Sequence, residues 1–146
     1  MKKQFVKVRG RELPVCEHSA CEHHRIWDLP TCAVHLSQAE REGLQGRVIA
    51  ALRGGGGNLK GVVLTGTDLR GIDLSEADLA GTLLDHCDLR GCRFVDADLS
   101  GACLGWARLD HADLTRTDIN GAVFSEARLP GVKLLAYSLV VCVINK

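Results

Sequence analysis

The sequence predicts an all-β solenoid, a rod of short extended pieces separated by turns, and two patterns predict it. From Leu59 to Leu139 a large apolar residue recurs every five residues for 17 positions; fourteen are Leu and the others are Phe94, Ile119 and Phe124. Two residues before each lies a second, mostly small residue, as at Ala77, Cys87, Cys92, Ala97, Ala102 and Ala107. A period of five fits neither a helix at 3.6 nor a strand at 2.0. A turn must therefore reset the chain in every unit. One large and one small residue then face inward, and three face outward. Glycine stands two residues after the large apolar one at Gly61, Gly71, Gly81, Gly91, Gly101, Gly121 and Gly131. There it supplies corners that need φ > 0.

The unit is recognisable in Ala77-Asp78-Leu79, Ala97-Asp98-Leu99 and Ala112-Asp113-Leu114. Over residues 57 to about 141 it resembles the pentapeptide-repeat family, whose pattern is A-(D/N)-L-x-x. The resemblance implies a right-handed quadrilateral β-helix with four repeats per coil. The outward residue just before each large apolar one supports that number independently. Sorted by every fourth repeat, one class reads Val63, Leu83, Cys103, Val123, and the other thirteen positions are all polar or charged. One coil thus takes 20 residues, and the repeats make about four coils, a rod of roughly 20 Å at ~4.8 Å per coil.

Stacked coils turn this period into ladders of side chains. Asn58, Asp78, Asp98 and Asp118 form an acidic ladder, which is either a surface for a cationic partner, a mimic of a phosphate row, or a set of turn-forming, solubilising residues. Asp68, Asp88, Arg108 and Arg128 form another, with Arg70, Arg90 and Asp110 beside it. Asp88 with Arg108 and Arg90 with Asp110 are expected to pair across coils. The apolar ladder Val63, Leu83, Cys103, Val123, with Trp106 near its corner, is the candidate interaction surface. Outward apolar residues in a stripe imply a cover: the chain's own N-terminal segment, a second copy, or another protein.

An open β-helix end needs a cap. Ser37 to Arg53 reads as a capping helix, with Ser37 and Glu40 as a capping box and Leu44, Val48, Ile49 and Leu52 on one face. The run Gly54 to Gly57 ends it. The chain is accordingly divided into a zinc-knuckle-like segment at 1–36, the helix and glycine linker at 37–56, and the β-helix with a C-terminal cap at 57–146. The apolar stretch Leu134 to Ile144 makes the far end adhesive. In the quinolone-resistance members of the family that end forms the dimer contact, so the resemblance implies a head-to-head homodimer.

Cys16-x4-Cys21-x10-Cys32-x2-His35 has the count and residue types of a structural Zn2+ site. It looks like the small Cys-Cys-Cys-His knuckles appended to bacterial and phage proteins. His18, His23 and His24 stand beside these residues as alternative ligands. A metal would supply folding energy to a polar segment too small to build a core.

Lys and Arg total 18, as do Asp and Glu, so the formal net charge is zero. That balance argues against a strongly basic nucleic-acid binder. The repeat region 59–146 carries 12 acidic and 9 basic residues, a net of −3, and residues 1–58 carry 9 basic and 6 acidic, a net of +3. No apolar run approaches the ~20 residues of a membrane helix, the N-terminus does not read as a secretory signal, and the expected compartment is the cytosol. The interior leaves no pocket, and Asp85-His86 and Asp110-His111 read as solvated corners, so no enzyme is expected. The favoured function is a protein-binding or scaffold module. The alternatives are a DNA-mimicking modulator of a type II topoisomerase and nucleic-acid binding through the basic N-terminal part.

Overall fold

The computed structural model describes residues 5–8, 11–14, 33–54 and 57–135. The corners explain the period of five. From Gly61 to Gly131, every residue two positions after a large apolar one has positive φ, from 54° at Trp106 to 73° at Gly66. Each corner is closed by an amide bonded back to the carbonyl three residues earlier, from Val62 N to Leu59 O at 3.1 Å through to Val132 N to Leu129 O at 3.3 Å. That is the turn whose third residue must be left-handed. Glycine adopts it freely, yet Glu76, His86, Asp96, Trp106, His111, Arg116 and Glu126 adopt it too. Each of those costs roughly 1–2 kcal/mol, which the hydrogen bonds of the stacked coils hold in place.

Coils stack through parallel bridges that always join residues 20 apart, from Asn58↔Asp78 to Asp113↔Lys133. A coil amide donates forward and backward in turn: Leu59 N reaches Asp78 O at 2.8 Å, and Asp78 N reaches Gly57 O at 3.0 Å. The large apolar residues fill the interior, with Leu59, Leu69, Leu79, Leu89, Phe94 and Leu99 fully buried. The small inward position most often holds Ala, with Val62, Ile72 and Val132 as larger exceptions, or Thr and Cys where a turn carbonyl accepts a bond. Thr82 Oγ1 donates to Leu59 O at 2.9 Å and Thr117 Oγ1 to Phe94 O at 2.7 Å. Cys87 Sγ and Cys92 Sγ do the same to Leu64 O and Leu69 O at 3.0 and 2.9 Å. Burial pushes these two thiols up to about 11 and about 12, so they are protonated core residues.

Helix α1, Gln38–Gly54, begins at the expected capping box: Glu40 N donates to Ser37 Oγ at 3.2 Å, and Ser37 N to Glu40 Oε2 at 2.8 Å. A single 3-10 turn, Ala33–His35, precedes it. Leu44 and Val48 are buried in the same core as Leu59, Leu64 and Leu69, with Ile49 and Leu52 packed against it. The first coil has no earlier coil to donate to its carbonyls. Gln45 Nε2 fills that role for Asp68 O at 3.0 Å. No described helix is long and apolar enough to cross a membrane.

Strands β1, Phe5–Val8, and β2, Arg11–Pro14, form an antiparallel hairpin in which Val8 pairs with Arg11. Two residues of sequence separate the strands, a hairpin spacing.

Candidate interaction surface

Three of the four rungs of the apolar ladder are buried: Leu83 is 1% exposed, Cys103 7% and Val63 8%. They form one cluster with Leu13 of β2, itself buried. At these rungs the chain's own N-terminal hairpin is the cover, so Val63, Leu83 and Cys103 are not open to a partner while it is in place. Val123, the fourth rung, is half-buried. Leu13 is the residue that sequence reasoning missed. The alternation in Phe5 to Pro14 around Arg9-Gly10 was the signal.

Trp106 remains 52% exposed. It sits on a corner, and His86, on the same corner one coil earlier, stacks on it with ring centroids 5.1 Å apart and planes 4° from parallel. Coil spacing brings the two rings to stacking distance. Asp85 is not the solvated corner residue expected. It is buried, and its Oδ1 accepts Gly105 N at 3.2 Å. Asp110 is largely covered as well, with Arg128 at 3.3 Å and Arg108 at 3.9 Å.

The acidic ladder has a local explanation. Asp78, Asp98 and Asp118 each accept the amide two residues on, from Ala80, Ser100 and Asn120 at 3.1, 2.8 and 3.0 Å. Asn58 does the same for Lys60 N at 3.0 Å. These are side-chain caps of the turns.

The charged ladder pairs differently from expectation. Arg90 folds onto Asp88 in its own coil, with Nε and Nη2 at 2.7 and 2.6 Å from the two carboxylate oxygens, rather than onto Asp110. Arg70 grips Asp68 in the same way. Residues two apart on one outward face lie side by side, and the guanidinium fork matches the carboxylate. These bonds hold the Asp68 and Asp88 carboxyls below their ordinary range. Cross-coil pairs form on this face between Arg70 and Asp88 at 3.8 Å and between Arg128 and Asp110 at 3.3 Å, and on other faces between Arg93 and Asp73 at 3.3 Å and between Arg116 and Asp96 at 2.5 Å.

Leu134 and Leu135 are 50% and 62% exposed where the described part of the rod ends. Of the candidate zinc ligands, His35 lies half-buried in the 3-10 turn just before α1. Cys16, Cys21 and Cys32, and the alternatives His18, His23 and His24, lie outside the described residues.

No curated protein matches the chain by sequence. Many solved structures resemble it, pentapeptide repeat proteins among them. HetL, a pentapeptide repeat protein involved in heterocyst differentiation regulation from the cyanobacterium Nostoc sp. strain PCC 7120, is 34% identical with a TM-score of 0.58 over 60% of this chain and 40% of its own. A pentapeptide repeat protein from the Arabidopsis thaliana thylakoid lumen is 28% identical with a TM-score of 0.57 over 64% of this chain and 61% of its own. The match thus spans less than two thirds of either relative. Proteins of this kind form right-handed quadrilateral β-helices. A family model described as Pentapeptide repeats (8 copies) matches residues 58–94, 72–109 and 97–134, together more than half of the sequence. The chain belongs to the pentapeptide-repeat family.

Proposed function

We propose that the chain is a non-enzymatic protein-binding module that offers the outer faces of a rigid four-coil β-helix. The observation that carries this reading is the exposed Trp106, the one large apolar residue at a left-handed corner of residues 57–135. Every other corner there carries glycine or a polar residue, and a bulky side chain in this conformation is strained. The interior, packed with Leu and Ala, supports the absence of catalysis, since it leaves chemistry only to the surface. A second copy is one partner that suits the exposed Leu134 and Leu135. Substituting Trp106 with Ala keeps a Cβ at the corner, so it should leave the strain and the fold as they are while abolishing capture of a partner protein in quantitative affinity purification. Equal capture by wild type and W106A would remove this corner from the reading.

The segment before α1 is proposed to hold a structural Zn2+ through Cys16, Cys21, Cys32 and His35. Their types and spacing support this, and His35 next to the Ser37 cap would tie such a site to the helix. One equivalent of zinc should copurify with the wild type and be lost from C32S. A wild type free of zinc would sink the assignment.

A further inference from the structure

We propose that the outer face of Trp106, together with the Glu126 carboxylate, is a seat for a cationic side chain, arginine above all, presented by a partner protein. This rests on the reading of the rod as a binding module and specifies what it recognises.

The corner ladder runs Gly66, His86, Trp106, Glu126, all left-handed and each one coil from the next. His86 covers one face of the indole. Trp106 is nevertheless half-exposed, and among the described residues no second ring stacks on its other face. That face looks toward the next coil, where the equivalent corner holds Glu126. Coils are ~4.8 Å apart, the spacing at which His86 already stacks. Glu126 is exposed and makes no hydrogen bond or ion pair among the described residues.

A carboxylate gains nothing from lying over the electron-rich face of an indole, whereas a guanidinium gains from both. Placed at this corner, it would stack on the ring and pair with the carboxylate, a charge-assisted contact. The rod's nearest cations do not serve. Arg108 and Arg128 sit on the neighbouring face, and both turn toward Asp110, at 3.9 and 3.3 Å. The repeat region's net charge of −3 favours approach of a basic partner.

The probe is a short blocked peptide, Gly-Arg-Gly, against its citrulline analogue, which keeps the shape and removes the charge. The readout is the indole NMR signal of Trp106, told from that of Trp27 with W27F. The arginine peptide should shift the Trp106 signal with a dissociation constant roughly fivefold lower than the citrulline peptide. E126Q should reduce that difference to the part the indole alone supplies, and W106A should leave no site. A shift of equal size with both peptides, no shift with either at millimolar concentration, or an unchanged preference in E126Q would overturn the proposal. If W106A still abolished protein capture in that event, the binding-module reading would stand and only the cationic seat would fall.

Discussion

The face bearing Val63, Leu83 and Cys103 and the face bearing Asp68, Asp88, Arg108 and Arg128 share one backbone. Both are bridged every 20 residues by the same parallel bonds, and both rest on fully buried leucines. They differ only in residues that point away from the core. The first is sealed by Leu13 of the hairpin, and the second ties its charges together in place. The interior leucines and the turn geometry therefore set the coil, and the outward positions are free to write contacts. An outward residue can be as buried as a core residue, as Leu83 is at 1% exposure, once another segment lies over it.

The sharpest way to break this contrast is to write the chemistry of the second face onto the first. Leu83→Asp leaves an unpaired carboxylate beneath the hairpin, and it should cost ~4 kcal/mol from lost packing and desolvation together. Urea unfolding would measure it, and a change below 1 kcal/mol would show that the hairpin does not seal the ladder. Leu13→Ala tests the same seal from the other side. It should weaken docking of the hairpin by ~2 kcal/mol, seen as faster amide exchange in β1 and β2 with the rod's own amides unaffected. Loss of protection throughout the rod would instead make the hairpin part of the folding unit.

The smallest effect belongs to the charged face. The Arg70 and Arg90 hydrogen bonds lower the Asp68 and Asp88 carboxyls in the folded state. Their contribution is present above the ordinary carboxylate value of about 4 and is lost as pH falls through the lowered folded values. Asp88→Asn should cost under about 1 kcal/mol at pH 7 and make the melting temperature less sensitive to acid between pH 5 and pH 2. A wild-type melting temperature that rises on acidification would contradict the pairing.

The repeat, its 20-residue turn, the capping box of α1 and the apolar ladder were legible because each depends on one side chain at a fixed spacing. Ser37 with Glu40 is a local signal, and Val63, Leu83, Cys103 and Val123 stand out by period alone. Two features were not legible. The pairing of Arg90 with Asp88 rather than Asp110 depends on how side chains lean along a face, which spacing between coils does not reveal. Which of the possible covers lies on the ladder depends on a four-residue strand, whose alternation is too short to say that Leu13 packs on Val63, Leu83 and Cys103. Of the candidate surface, Trp106 could be named from sequence, but its stack on His86 required both to occupy left-handed corners, a conformation that sequence assigns to glycine.

Those corners have a consequence for how such a chain can change length. Because every repeat turns the chain through one side of the square, removing five residues would rotate all downstream ladders by one face. With the five taken from between Cys103 and Val123, Val123 would lie above Asp98 instead of above Cys103. Removing 20 residues, for example 84–103, would join Leu83 to Leu104 and leave every remaining column in line. The rod can thus be lengthened or shortened only in whole coils without scrambling its surface.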